Sequence, residues 1–266
     1  MREGSLEAPI RHPIDWENAE FYDEVKLDAE LRRVFDICHG CRRCFNLCDS
    51  FPRLFDLVDD SKSGELDSVD SADFSRVVDA CTLCDMCFLT KCPYVPPHEF
   101  NLDFPHLMLR YRAVEAKKNK LSAADLQLTE TDRNGKWATL ISSAVNWATR
   151  ANNGFMRGLE EKLVGIDRRA ELPQYAAQTL EALAAAQPVK RDATAPAQAR
   201  KAILYATCFG DYNDTSIGMS AIAVLAKNGV ETRVVYPACC GMPKLEQGLI
   251  GEVAQSAQTV SKALSE

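Results

Sequence analysis

Eight cysteines standing between positions 38 and 92 constrain this chain more than anything else in it. They form two runs, Cys38, Cys41, Cys44, Cys48 and Cys81, Cys84, Cys87, Cys92, spaced C-x2-C-x2-C-x3-C and C-x2-C-x2-C-x4-C, with Pro93 directly after the second. The runs repeat one unit. A shift of 43 carries Cys38, Cys41 and Cys44 onto Cys81, Cys84 and Cys87, and superposes Val34 on Val77, Asp36 on Asp79 and Phe45 on Phe88; one extra residue then sets Cys48 opposite Cys92. Structural zinc usually takes two separated C-x2-C pairs, whereas here three cysteines crowd into seven residues twice. Disulfides suit small secreted chains, but the opening residues Met1 to Ala8 carry charges and no apolar run, so a reducing compartment is expected.

Two-residue gaps let one short loop hold three corners of a cubane, while a more distant cysteine closes the remaining iron. Both runs therefore predict 4Fe-4S ligation of the two-cluster, bacterial-ferredoxin type, in which the fourth cysteine of each run serves the other cluster. That rule assigns Cys38, Cys41, Cys44 and Cys92 to one cluster and Cys81, Cys84, Cys87 and Cys48 to the second. His39 lies inside the first run and is expected beside the ligands rather than among them.

At 266 residues and 46% hydrophobic content the chain can bury one sizeable core or two smaller ones. No stretch reaches the roughly eighteen uninterrupted apolar residues of a membrane span. The net charge of -7 argues against nucleic acid, whose binding rests on neutralising phosphates. The charge is uneven: residues 1–104 hold 11 Lys and Arg against 22 Asp and Glu, while residues 105–169 hold 12 against 7. An acidic cluster domain can be steered toward a basic partner, and Asp36, Asp79 and Asp85 beside the runs are expected to lower cluster potentials.

Residues 1–20 read as an extended arm containing Pro9, Pro13 and Trp16. The stretch from Asp23 to Asp36 predicts a helix, with Leu27, Leu31, Val34 and Phe35 on one face. A second helix is expected from Phe51 to Val58 with Pro52 in its first turn, then an acidic surface loop over 59–70, then a helix capped by Ser71 that buries Phe74, Val77 and Val78. Prolines forbid helix up to Pro97, and Pro105 starts the next one, carrying Leu107, Met108 and Tyr111. His98 and His106 are expected to be hydrogen-bonded structural residues, with a proton-coupled or quinone-proximal role as the other reading. With 32 residues between Cys48 and Cys81, residues 1–125 predict an α-helical rather than a β-rich cluster domain.

Residues 126–199 form a helical segment and linker in this reading. Residues 136–165 predict amphipathic helices with a stripe of Leu140, Ile141, Ala144, Val145 and Ala148, Trp137 and Trp147 near its ends, and Arg150 and Arg157 following. Packing on the protein's own core is the favoured reading of that stripe, with a membrane surface or partner subunit as the other. The Ala-rich stretch from Glu181 to Ala199, with Pro188 and Pro196, reads as a fraying helix and a domain boundary. From 200 to 266 the pattern turns α/β: strands at Ala202–Ala206 and Glu231–Tyr236, helices at Thr215–Asn228 and Gln247–Leu264, and Gly229 as a stop. Cys208 and the Cys239-Cys240-Gly241 triplet follow the two strands, so a parallel sheet would gather three thiols at one rim as an incomplete third metal or redox site.

Two ferredoxin-type runs followed by an α/β domain with Cys-Cys-Gly resemble the iron-sulfur oxidoreductase family that includes the C subunit of anaerobic glycerol-3-phosphate dehydrogenase, the iron-sulfur subunits of glycolate and lactate oxidation, and heterodisulfide reductase subunits. The resemblance covers most of residues 20–125 and 200–248. In that family the Cys-Cys-Gly domain occurs twice and its motif continues with further cysteines about 35 residues after the pair; the chain ends at Glu266, before that point, and is expected to be a fragment of a longer protein. The fold expected is mostly α: an α-helical ferredoxin domain, a helical linker and a partial parallel-sheet Cys-Cys-Gly domain. The resemblance implies an electron-transfer subunit with two 4Fe-4S clusters, and a further cluster at Cys208, Cys239 and Cys240 if the site is completed. The implied partners are a flavin-containing dehydrogenase subunit or other redox protein as donor and quinone or another acceptor, in the cytoplasm, with peripheral attachment to the inner face of the membrane as a variant. No catalytic residue is expected in residues 1–125. The alternatives are a thiol-disulfide or peroxide-defence reductase working through Cys208, Cys239 and Cys240, and a redox-sensing protein that binds clusters without passing electrons on.

Overall fold

The computed structural model describes residues 7–265, with Lys91 described through its backbone alone. The expected arm over 1–20 therefore begins outside the described residues; residues 8–15 form no helix or strand, and Ile10 N–H donates to Pro96 O at 2.9 Å. The chain is mostly helical with one small two-stranded parallel sheet, and it divides into two compact units. Of the described residues, the first comprises 7–121 with 244–250 and the second 122–243 with 251–265. Among the described residues no helix is long and apolar enough to cross a membrane.

In the first unit, helix α1 (Glu24–Cys41) starts where the Asp23 carboxylate accepts the Val25 and Lys26 N–H groups, satisfying donors that a helix start leaves open. Leu27, Leu31, Val34 and Phe35 are buried along one face, as their spacing predicts. The helix runs past the expected end at Asp36 and takes in Cys38 and Cys41, stopping only where Arg42 turns left-handed at φ 51°. Helix α2 (Ser50–Asp59) buries Phe51, Leu54, Phe55 and Val58 and is tied to the next helix by Ser50 Oγ donating to Val77 O at 2.8 Å.

The acidic segment over 59–70 is not wholly a surface loop. Leu66 and Val69 are buried in it, and Arg32 donates to both of their carbonyls. Asp70 rather than Ser71 caps the following turn, accepting from Ala72 N–H at 3.0 Å: a carboxylate one residue earlier outcompetes the hydroxyl. A 3-10 turn leads into the short helix α3 (Ser75–Asp79), and Phe74, Val77 and Val78 are fully buried. Helix α4 (Phe104–Lys117) begins at an Asp103 cap with Pro105 in its first turn.

Phe35, Phe51, Phe74 and Phe104 form the centre of this core, with ring centroids 5.1 Å apart for Phe35–Phe74 and 4.7 Å for Phe51–Phe104. The returning segment 244–250 lays Leu245 and Ile250 on Leu109 and Ala113 of α4, beside Trp16. It approaches so closely at Gly248, φ +76°, that a Cβ there would lie 2.4 Å from Ala113 N.

The second unit opens with helices α5 (Ala123–Thr129), α6 (Thr131–Leu140), α7 (Ser142–Thr149) and α8 (Gly154–Val164). The stripe expected to pack on the core is largely uncovered: Leu140, Ile141 and Trp147 are exposed, Trp137 is 67% exposed and Phe155 82%. Arg157, read from the sequence as part of a basic helix, is 1% exposed and donates to the carbonyls of Asp167 and Ala170 at 3.0 and 2.8 Å, so it serves the interior. Helix α9 (Leu180–Ala186) follows, and residues 187–199 pack within this unit, with Asp192 N–H donating to Ala226 O at 2.9 Å.

Strand β1 (Lys201–Tyr205), helices α10 (Thr207–Tyr212) and α11 (Thr215–Lys227), and strand β2 (Glu231–Val235) complete a β-α-β arrangement. The strands pair in parallel from Lys201 with Glu231 to Tyr205 with Val235. Leu180, Ala206 and Ile222 form the core beneath them. Helices α12 (Met242–Glu246) and α13 (Ile250–Ser265) end the chain.

Candidate functional site

Cysteines of both runs lie in or against the first unit's core, and four of them meet across the runs. Cys38, Cys41, Cys44 and Cys92 line one small cavity together with Arg43, Phe51, Phe55, Pro93, Tyr94 and Leu102. Local structure explains the meeting. Cys38 and Cys41 are one helical turn apart at the end of α1, and the left-handed Arg42 turns the chain back so that Cys44 follows onto the same side. Cys92 arrives from the second run through a π-helical turn, Cys87–Lys91, closed by Cys92 N–H donating to Cys87 O at 2.8 Å.

Burial first, then the neighbouring Cys92, Cys44, Cys87 and Cys41, push the Cys38 thiol well up. The Cys92 thiol is raised by burial and partly relieved by the Tyr94 and Val95 N–H groups and the Arg43 charge.

Cys81 and Cys87 are buried, Cys48 is half-buried and Cys84 is exposed. Burial raises the Cys81 thiol, the Leu83 N–H and the Arg112 guanidinium lower it, and Cys48 and Cys84 act on it from nearby. Cys87 is raised mainly by burial, with Cys81, Cys44 and Cys48 as its strongest sulfur neighbours, so it stands where the two groups approach each other. Cys92 therefore lies with the first run in that small cavity, and Cys48 is near enough to act on Cys81 and Cys87.

Such crowded, desolvated thiols stay protonated unless a cation offsets their mutual repulsion, and a soft cation with thiolate affinity does so while displacing the protons. The donor set thus fits iron-sulfur clusters on its own chemistry. Among the described residues no three His, Cys, Asp or Glu side chains are gathered around a point where a single metal ion could be held.

Of the carboxylates expected to act on the cysteines, Asp36 and Asp79 are exposed, and Asp85 is paired: Arg11 of the arm meets it with two hydrogen bonds of 2.7 and 2.8 Å. The pairing raises the Arg11 guanidinium further. His39, next to Cys38 in the chain, has its Nε2 3.0 Å from Asp59. His98 Nδ1 accepts the Phe100 N–H at 3.1 Å and His106 Nδ1 is 3.1 Å from Asp103, so both histidines have partners within the fold.

The three remaining cysteines also meet. Cys208, at the start of α10, lies with its sulfur 3.8 Å from that of Cys239, after β2. Cys240, the next residue, is exposed. The two sulfurs share a hydrogen bond, which favours ionisation of Cys239 and holds the proton on Cys208; the Gly241 N–H, 3.5 Å from the Cys239 sulfur, assists. Gly241, at φ +90°, leaves room for α13, whose Val253 Cα would be 3.3 Å from any Cβ there.

Sequence reasoning missed the group that holds this loop. Asp132 of α6 accepts the Cys239 N–H at 2.9 Å and the Tyr236 hydroxyl, while Tyr205 O–H donates to Ala238 O at 2.7 Å. Burial and Asp132 together push the Tyr236 phenol up. No family model, curated protein or solved structure matches the chain.

Proposed function

We propose that this chain is an iron-sulfur electron-transfer protein, holding one 4Fe-4S cluster on Cys38, Cys41, Cys44 and Cys92 and another on Cys81, Cys84, Cys87 and Cys48. The observation that supports the reading is that Cys92 of the second run lines one cavity with Cys38, Cys41 and Cys44 of the first, since a fourth cysteine drawn from the other run is the arrangement of two-cluster ferredoxins. When bound, each cluster supplies one-electron redox chemistry at a potential the protein adjusts. Phe51, Phe55 and Leu102 exclude water from the first group, and the Tyr94 and Val95 N–H groups donate toward the Cys92 sulfur. Arg112 holds the Val78 carbonyl at 2.8 Å and fixes the backbone leading into Cys81. The partner class this chemistry suits is a flavin-containing dehydrogenase subunit as donor, with quinone or another redox protein as acceptor, in the cytoplasm or at the inner membrane surface.

Anaerobic purification with iron and sulfide counting tests the reading. About eight irons per chain are expected from two cubanes, and a higher count would extend ligation to Cys208, Cys239 and Cys240. Cys92→Ser should perturb the EPR signal of the cluster bound by the first run, and Cys48→Ser that of the second. Colourless protein, bound zinc, or Cys92→Ser and Cys48→Ser perturbing the clusters of their own runs would overturn it.

A further inference from the structure

The two cysteine runs carry opposite charges at the same internal position. The residue after the second cysteine is Arg42 in the first run and Asp85 in the second, and both adopt the left-handed conformation, φ 51° and 62°. Each is held by a residue of the opposite charge from elsewhere in the first unit. Arg42 makes two hydrogen bonds to Asp59 at the end of α2, one of them 2.9 Å, and lies 5.3 Å above the Phe55 ring. Asp85 receives Arg11, which at the same time holds Asp103 at 2.8 and 3.0 Å and lies 4.3 Å above the Phe88 ring.

The next position widens the contrast. Arg43 lines the first cavity and acts on Cys92, whereas the second run has Met86 there. At the first group Arg43 acts on Cys92 and Arg33 on Cys38, while Asp59 pairs Arg42 and Glu30 pairs Arg33. Around the second, Asp85 and Asp103 face Arg11, with Arg112 near Cys81 as the further cation. Adding an electron adds negative charge, so the more positive surroundings hold it better.

Resting on the two-cluster reading above, we infer that these charges split the pair: the cluster on Cys38, Cys41, Cys44 and Cys92 has the higher reduction potential, and the cluster on Cys81, Cys84, Cys87 and Cys48 the lower. Arg42, Arg43 and Asp85 act through the field at the thiolates, and Arg11 acts by compensating Asp85 and Asp103. Arg11 is thus a positioning residue for the second run. It restrains a loop in which Leu83 and Asp85 are both left-handed, and it sets how much of the Asp85 charge reaches the sulfurs.

An EPR-monitored redox titration of the anaerobically purified full chain tests this. Two separate midpoints are expected. Arg11→Gln should move only the lower midpoint, and downward, because two carboxylates lose their cation; Arg11→Lys should restore it. Asp85→Asn should move the same midpoint upward. A merely structural role for the pair would move it the same way in both variants, so like-signed shifts overturn the inference. Arg43→Gln should lower only the higher midpoint. Coincident midpoints, or an Arg43→Gln effect on the lower one, overturn it while leaving the two-cluster reading intact. Protein without clusters removes that reading, and this inference with it.

Discussion

Asp132 shows how much one carboxylate can organise at a distance in sequence. It satisfies the backbone N–H of Cys239 and the hydroxyl of Tyr236, more than a hundred residues downstream. Replacing it by alanine leaves two partly buried donors unpaired, at a cost on the order of 2–3 kcal/mol. Asp132→Ala should therefore lower the denaturant midpoint of the second unit and weaken amide-exchange protection at Cys239; unchanged protection there would refute the assignment. Asp59 supplies the pH dependence. Its pairing with Arg42 and His39 lowers its carboxyl to about 2 from an ordinary 3.8, so its contribution is present above about 4 and lost as pH falls toward 2. Acid titration of stability should show that loss in the native chain and not in Asp59→Asn. Neither long-range pair was legible in the sequence. Arg11 with Asp85 and Asp132 with Cys239 join polar residues far apart in the chain, and no periodicity marks such partners.

Among the elements, what could be read in advance was whatever buries an apolar face. Leu27, Leu31, Val34 and Phe35 announce α1, and short apolar runs beside turn residues such as Gly229 announce β1 and β2. The end of α1 was not legible, because Cys38 and Cys41 keep helical spacing and Gly40 alone does not stop a helix already paid for by packing. The acidic stretch over 59–70 misled because Leu66 and Val69 are too few to make a period, yet Arg32 draws both into the core. The eight cysteines were visible by spacing, and one cavity brings Cys92 to Cys38, Cys41 and Cys44. The returning segment 244–250 gave no sign that it belongs with α4. Its test is Gly248→Ala, which combines an unfavourable positive φ with a backbone collision and should destabilise the first unit by more than about 1 kcal/mol. A midpoint equal to that of the native chain would show that the close approach to Ala113 is absent in solution.

At the scale of the whole molecule the charge and apolar patterns separate by region. Residues 1–104 carry a net charge of -11 and contain both cysteine runs, while residues 105–169 carry +5 and include the uncovered Trp137, Leu140, Ile141, Trp147 and Phe155. The sequence stripe was correctly apolar, but a helix pattern states only that a face is apolar and not what covers it. The two strands form the smallest sheet possible, and Ile217 and Val224 of α11 are left exposed.

The segment at 244–250 has a consequence for synthesis. The polypeptide bearing both cysteine runs is complete at residue 121, yet the piece that covers Leu109 and Ala113 is made only after 122 further residues have left the ribosome. Until then the nascent first unit keeps an oily face open on its fourth helix, and an excised version ending at residue 121 would carry that same defect permanently.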